Sequence, residues 1–388
     1  MESFFRTVFI SALLTLVVFK SYGLKSLKSK YQRWNESSNR ISVESLYLKA
    51  EIELSSTWSL GFVGIYDSIS GATPTGKPAS TSSNDWLAYL EEERTAGVLS
   101  LSRKGEVFDQ TFDLGHSDEP DYLSRTFGYK LSRGFAEDTL IVSAGLSLQD
   151  DRVDSSVPGG PGLGIKDKRT PEFSLGLYRI LNPKTTLAVN FAWSRPKGYL
   201  SDPYKQVGLT ETLFPGDPAL ERDVFYLYPE NRPDKRKTFV FYTQGVRYFE
   251  QTNSSLDASY RYFTDDAGLN GHTYELSWLK RMGEKFIIQP IGRLYLQDAA
   301  DFYMTTLDGS SITPSVQPDG TGPYYSADYR ISALKTSSFG IKLTYFPKEN
   351  LSFDLSFDRY HMRGTDGVTS QLVYPDANVL TLGFQWEI

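Results

Sequence analysis

The last eleven residues of the chain alternate strictly between large apolar side chains and small or polar ones. Residues 378–388 read NVLTLGFQWEI, and the apolar face consists of Leu380, Leu382, Phe384, Trp386 and Ile388. A period of two residues indicates a β-strand with one apolar and one wet face. An apolar face that ends in aromatic groups is typical of strands in a membrane β-barrel.

Similar alternation recurs upstream, and the connections between the predicted strands are short and long in turn. Tight turns are predicted at residues 55–57, 103–105, 135–138, 182–184, 250–253, 282–284 and 347–350. Longer links are predicted at residues 71–91, 117–120, 150–170, 201–235, 265–271, 299–324 and 364–376. Barrels with tight turns at one rim and long loops at the other have this pattern.

The predicted fold is all-β: a transmembrane antiparallel barrel of about 16 strands. About fifteen strands are legible, so residues 27–34, whose pattern is weak, must supply the first one. Sixteen strands leave room for a channel, whereas about eight would be filled by side chains. We expect a β-bulge between Val43 and Leu46, where the alternation changes phase. Residues 325–345 are predicted to form one long strand without a turn at 335–338.

Composition supports a barrel rather than a soluble domain. Hydrophobic residues make up 40% of the 388 positions, aromatic residues 14%, and the mean hydropathy is -0.35. A barrel needs only an outer apolar band with aromatic edges. The absence of cysteine excludes disulfides and thiolate chemistry, and a net charge of -6 speaks against nucleic-acid binding.

The N-terminus predicts a signal peptide at residues 1–23, followed by the barrel at 24–388. Arg6 precedes an apolar run at 8–19, and small residues lie before a cleavage point after Gly23. The run is too short for a membrane-spanning helix, which needs about 20 residues. The alternative is a short N-terminal anchor that stays attached.

Charges of both signs occupy the predicted inward faces of the strands. The candidate pore-lining residues are Asp67, Arg261, Glu275, Arg293, Arg330, Lys342, Asp354 and Asp358. Opposed charges in a wet lumen set ion preference in a pore. The alternative is a lumen held shut by salt bridges between the same side chains.

A Gly- and Pro-rich segment at residues 70–77 is a second candidate. Gly71, Pro74 and Gly76 set a tight path, which predicts a constriction loop folded into the lumen. The alternative is a turn at the barrel rim that is capped by the hydroxyls of Thr73 and Thr75.

No catalytic residue, metal site or cofactor is predicted. His116, His272 and His361 fall on outward faces, far apart around the wall, and none has the serine two positions away that an interfacial phospholipase would need. Three acids in a predicted loop are expected to be solvated rather than to bind calcium: Asp150, Asp151 and Asp154.

Four stretches resemble the signature segments of a family of predicted outer-membrane β-barrel proteins of unassigned function. They are YDSISGATPTG at 66–76, GYLSDPYK at 198–205, AADFY at 299–303 and DYRIS at 328–332. The resemblance extends to residues 92–94, 358–364 and the closing strand. It implies a barrel in the outer membrane of a Gram-negative bacterium and no catalytic residues. Ile388 departs from the pattern, because outer-membrane proteins most often end in Phe or Trp.

The expected function is a channel for small polar solutes of unknown identity. The alternative is a non-conducting scaffold for surface or periplasmic partners, and a more remote one is a lipid-modifying enzyme. The expected partners are outer-membrane lipid and the barrel-assembly machinery, with no nucleic acid. The oligomeric state stays open.

Overall fold

A computed structural model describes residues 23–157, 159–309 and 311–388. The predicted signal peptide, except for Gly23, therefore lies outside the described residues. Within these three ranges, no helix is both long and apolar enough to cross a membrane.

Sixteen long antiparallel strands form a closed barrel. They are β1 (Leu24–Glu36), β2 (Ile41–Glu53), β3 (Trp58–Pro74), β4 (Leu87–Arg103), β5 (Asp109–Asp118), β6 (Tyr122–Phe135), β7 (Leu140–Asp154), β8 (Ile165–Asn182), β9 (Thr185–Ser194), β13 (Thr238–Phe249), β14 (Ser254–Asp265), β15 (Asn270–Met282), β16 (Phe286–Gln297), β18 (Leu334–Lys348), β19 (Leu351–Gly364) and β20 (Asp376–Glu387). Short strands in the connections are β10 (Lys197–Gly198), β11 (Gln206–Leu213), β12 (Arg222–Pro229) and β17 (Thr306–Leu307).

Strand β1 closes the barrel, because it pairs with β2 on one side and with β20 on the other. The predicted first strand at residues 27–34 is therefore confirmed, and no wall strand is left with an unpaired edge. Its alternation is weak in the sequence because Trp34 faces the lumen, where its ring lies 4.9 Å from that of Tyr360.

The outer surface of the wall is an apolar band, as the alternation predicts. Large apolar side chains that face away from the lumen are exposed along the wall strands: examples are Leu114, Leu146, Leu276, Phe339 and Leu382. Their neighbours in sequence are mostly polar and face inward. A side-chain period of two thus produces a polar inner face inside an apolar shell.

Two predictions about local structure are wrong. Strand β2 pairs with β3 without a register shift from Ile41 to Glu53, so there is no bulge between Val43 and Leu46. Val43 faces the lumen. An apolar side chain on the inner face makes the alternation of apolar and polar residues appear to change phase in the sequence. Strand β18 begins at Leu334 rather than at residue 325, although no turn interrupts it at 335–338, as predicted.

The long connections all lie at one end of the barrel. The seven turns at the other end, which we call the inner end, contain two to five residues each. Four connections at the outer end contain eleven or more residues: 75–86, 195–237, 298–333 and 365–375. We call these four connections together the plug.

Candidate functional site

The plug has its own apolar core, which holds its four connections together. One cluster joins Trp86, Tyr329 and Tyr374, which come from three different connections. A second cluster packs Val207 of β11 against Tyr325. The hairpin of β11 and β12 also pairs with β17, so the connections at 195–237 and 298–333 form one small sheet.

The base of the plug lies inside the mouth of the barrel rather than above it. The hydroxyl of Tyr204 donates to Glu92 Oε1 (2.8 Å), whose side chain faces the lumen from β4. Lys205 Nζ donates to the carbonyl of Pro74 (2.5 Å) at the outer end of β3. The connection at 195–237 is therefore fastened to the lumen side of the wall.

A buried network of charges ties two of the connections to each other. Asp328 is 1% exposed, and its carboxylate accepts hydrogen bonds from Arg232 (2.7 Å) and Arg330 (2.9 Å). Arg232 also pairs with buried Glu230 (2.7 Å), and Arg330 pairs with Asp202. Because Asp202, Glu230 and Arg232 lie in one connection and Asp328 and Arg330 in another, the network fixes their relative positions.

The pKa values of these groups follow from burial and from each other. Burial alone would raise the pKa of Asp328, but Arg330, Lys205 and Arg232 lower it below the usual range. Burial lowers the pKa of Lys205, and the negative charge of Asp328 opposes that shift. Burial raises the pKa of Glu230, which Arg232 opposes. Asp328 is therefore the ionised acid around which the cations gather.

All four segments that carry the family resemblance meet in or at the plug. GYLSDPYK supplies Asp202, Tyr204 and Lys205, and DYRIS supplies Asp328 and Arg330. Residues 66–76 supply two acceptors at the outer end of β3. The hydroxyl of Thr73 accepts from Lys205 Nζ, and the carbonyl of Thr75 accepts from the backbone N–H of Gln206. The AADFY segment closes a third apolar cluster beside the turn that follows β14. The segments thus define one site, although 252 positions separate residue 76 of the first segment from residue 328 of the last.

A cavity of about 750 Å³ lies between the plug and the wall formed by β4 to β8. Its lining combines aromatic rings with charges of both signs: Glu92, Tyr122 and Lys168 from the wall, and Tyr204, Phe302 and Arg330 from the plug. A second cavity, of about 360 Å³, lies against the wall from β14 to β19. Both cavities are lined by polar and charged side chains.

Three acids meet at one side of the first cavity. Oxygen atoms of Glu92, Glu119 and Asp121 lie within 4.8 Å of one another. Burial raises the pKa of Glu119 above its ordinary value, and Arg94 opposes the shift. Carboxylates at this spacing are suitable ligands for a cation. Here the Tyr204 hydroxyl already donates to Glu92, so the acids help to hold the plug.

Seven of the eight candidate pore-lining residues lie on the lumen face of the wall. They are Asp67, Arg261, Glu275, Arg293, Lys342, Asp354 and Asp358. Arg261 and Arg293 line the second cavity, while Lys342 pairs with Asp354 at 3.4 Å. Arg330 is not on the wall. It lies in a single turn of 3-10 helix, Tyr329–Ile331, inside the plug, because β18 begins later than predicted.

The candidate constriction segment is part of the rim. Gly71 and Pro74 belong to β3, which pairs with β4 as far as Pro74, and Gly76 follows in the connection. The hydroxyl of Thr75 donates to the carbonyl of Trp86 (3.1 Å), as expected for a capped turn. The segment also holds Lys205 through the carbonyl of Pro74. Its role as a constriction stays a prediction.

The remaining candidates do not converge. The three histidines lie on different strands and face outward, and Tyr260 and Asp376 are the side-chain partners of His272 and His361. Asp150 and Asp151 are adjacent on β7, so their side chains point to opposite faces. Asp151 is buried against Tyr122 (2.6 Å) and paired with Lys168.

Sequence reasoning missed Glu230 and Arg232. Neither lies in a segment that resembles the family, and the polar residues that follow, NRPDKR at 231–236, look like a solvated loop. By contrast, Asp202 and Lys205 lie within such a segment, and their charges could have marked them as candidates.

The fold and the site together define a membrane-type β-barrel of sixteen strands whose outer mouth holds a structured plug. Residues 18–163 and 162–387 match the family described as protein of unknown function (DUF3570), and the chain belongs to that family. The family prediction made from the four segments is confirmed. No curated protein matches the sequence.

Several solved outer-membrane proteins are similar to this chain. A bacterial polysaccharide outer membrane secretin aligns over 95% of this chain and 99% of its own, with 7% identity and a TM-score of 0.49. OccK5 of Pseudomonas aeruginosa aligns over 94% and 98%, with 9% identity and a TM-score of 0.44. The ferric enterobactin receptor of Pseudomonas aeruginosa aligns over 93% of this chain and 59% of its own, with 11% identity and a TM-score of 0.45. The strand pairing itself, rather than these likenesses, defines the fold.

Proposed function

We propose that the protein resides in the outer membrane of a Gram-negative bacterium and passes small polar solutes through its lumen, with the plug narrowing the outer mouth. The observation that carries this proposal is where the plug is fastened. Its hydrogen bonds to the wall among the described residues lie at the outer ends of the strands, for example at Pro74 and Glu92. A sixteen-stranded wall with polar inner faces then continues inward as a water-filled passage.

Solutes would enter beside the plug, through the cavity of about 750 Å³ between the plug and β4 to β8. Charges of both signs and tyrosine hydroxyls line this route, which suits polar rather than apolar solutes. No chemical step is part of the proposal.

Single-channel recording from the purified protein in planar bilayers tests conduction. We expect discrete, steady conductance steps. A barrel that is folded and inserted but never conducts would overturn the proposal.

Cysteine labelling tests whether the lumen is wet, because the native chain contains no cysteine. Asp354→Cys, which faces the lumen, should react with a small hydrophilic thiol reagent. Leu355→Cys, the next residue on the same strand, is the matched control, because its side chain faces the membrane and should be protected. Equal protection of both positions would contradict a wet lumen.

The alternative function, a scaffold for surface partners, is favoured by one observation. The tip of the β11–β12 hairpin extends away from the plug core and exposes apolar side chains such as Phe214 (55%) and Leu220 (53%). A barrel without conductance and without labelling at position 354 would support this alternative. The lipid-modifying enzyme needs His116, His272 or His361, and His→Ala variants with unchanged lipid turnover would remove it.

A further inference from the structure

Two basic side chains face each other on the outside of the barrel, near its outer rim. Lys335 of β18 and Arg363 of β19 are direct partners in the strand register. Their neighbours Leu334 and Met362 point inward, toward the plug core, so strand alternation directs Lys335 and Arg363 outward.

The positive charges of Lys335 and Arg363 are not neutralised by acids in the described part of the chain. Like charges placed directly opposite each other on paired strands destabilise the sheet. In the described part of the chain, neither Lys335 nor Arg363 forms an ion pair with a carboxylate, while Arg359 and His361 both share Asp376. A bound anion would relieve the repulsion between the two basic residues.

The position of Lys335 and Arg363 on the barrel wall indicates where such an anion would come from. Below Ser337 of β18 and Arg359 of β19, the outward residues are apolar and exposed, including Phe339 (61%) and Phe357 (54%). Arg359 lies two residues above Phe357, or roughly 7 Å along the strand. Lys335 lies four residues above Phe339, or roughly 13 Å along a tilted strand. Lysine and arginine side chains readily reach back toward the polar boundary of a membrane.

We propose that Lys335, Arg359 and Arg363 bind the phosphate group of a membrane lipid whose acyl chains lie on the apolar band beneath. Guanidinium groups match phosphate oxygens in geometry and charge. The apolar surface that begins roughly 7 Å below Arg359 and roughly 13 Å below Lys335 favours a lipid over free phosphate. This inference rests on the proposed membrane location and is independent of conduction.

Lipid binding by the purified barrel in a neutral detergent tests the proposal. The probe is dioleoyl phosphatidic acid, compared with dioleoyl phosphatidylcholine, and bound lipid is counted by native mass spectrometry. Each basic group near an anionic lipid contributes roughly fivefold to binding. We expect the double variant Lys335→Gln/Arg363→Gln to bind phosphatidic acid about 25-fold more weakly than the wild type.

Two further variants sharpen the test. Lys342→Gln removes a charge from the same strand on its lumen side and should leave lipid binding unchanged. Asp376→Asn removes the acid that competes for Arg359 and His361, so it should strengthen binding of phosphatidic acid.

The possible outcomes are distinct. Equal binding of phosphatidic acid by the wild type and by a folded double variant would overturn the proposal. Displacement of the lipid by millimolar inorganic phosphate, with no preference for the acylated form, would assign the site to a free anion and also overturn it. The heat-dependent gel shift of a folded barrel is measured on every variant. A wild type that lacks the shift contradicts the membrane barrel itself, and absent conductance with intact lipid preference contradicts only the channel.

Discussion

At the scale of single residues, Asp328 organises the plug. Its carboxylate binds Arg232 and Arg330, which come from two connections, and lies close to buried Lys205. Buried charges of this kind are costly to leave without partners, so the network specifies one arrangement of the two connections more than it adds net stability.

Replacing Asp328 by Asn should loosen the plug. Loss of one partner from a buried ion pair lowers the free energy of unfolding by about 3 kcal/mol. This value is the low end of the usual range, because Arg330 is half-exposed. The readout is the labelling rate of a cysteine at Ser326, which is fully buried. The rate should rise strongly in Asp328→Asn but not in Asp319→Asn, an exposed acid of the same connection. Equal protection in both variants would contradict the assigned role.

Acid should release the plug only at low pH. Burial favours the neutral forms of Asp202 and Asp328, but nearby cations lower both pKa values below the ordinary 3.8. A lowered carboxyl pKa contributes stability above the unfolded value and loses it as the pH falls through the folded one. Glu230 acts in the opposite direction, because its pKa is raised and its protonation favours the folded form. Protection of the cysteine at position 326 should therefore hold from pH 7 to about 4 and fall below that. Loss of protection already at pH 6 would argue against this network.

At the scale of elements, the wall strands and tight turns could be predicted because alternation is a local property of the chain. The stretch at 325–333, which the sequence pattern assigns to the strand that follows, shows where prediction from alternation fails. Tyr325 and Tyr329 continue the alternating pattern, yet they pack in the plug core against residues such as Val207 and Tyr374. Local periodicity cannot distinguish an apolar residue that faces lipid from one buried by a distant connection.

The outer rim of the barrel, where β3 ends beside the start of β2, depends on a glycine. Gly71 has φ +133°, and a Cβ there would lie 1.8 Å from the carbonyl oxygen of Arg40. Gly71→Ala should therefore destabilise the barrel by roughly 1 to 3 kcal/mol, measured by denaturant unfolding. Gly292→Ala is the control, because that position on β16 has open space around it. Equal free energies of unfolding for Gly71→Ala and Gly292→Ala would contradict the requirement for glycine at position 71.

At the scale of the whole molecule, the sequence predicted the barrel but not the convergence of its marked segments. Asp202 and Arg330 are 128 residues apart and meet only because two connections fold into the same mouth. The family-like segments identified many of the residues of the site. Their spatial relation depends on barrel closure and plug packing, which no local pattern contains.

The central claim is that the plug narrows a wide polar lumen, and removal of its largest connection tests this most directly. Lys197 and Lys235 are bridged across that connection, so residues 199–233 can be replaced by a short Gly-Ser linker. A deletion of the exposed hairpin tip alone, residues 213–222, is the matched control, since Thr212 and Asp223 are already paired. In planar bilayers we expect a larger, steady conductance after the first deletion and wild-type conductance after the second. An intact barrel whose conductance does not rise when residues 199–233 are removed would contradict the account.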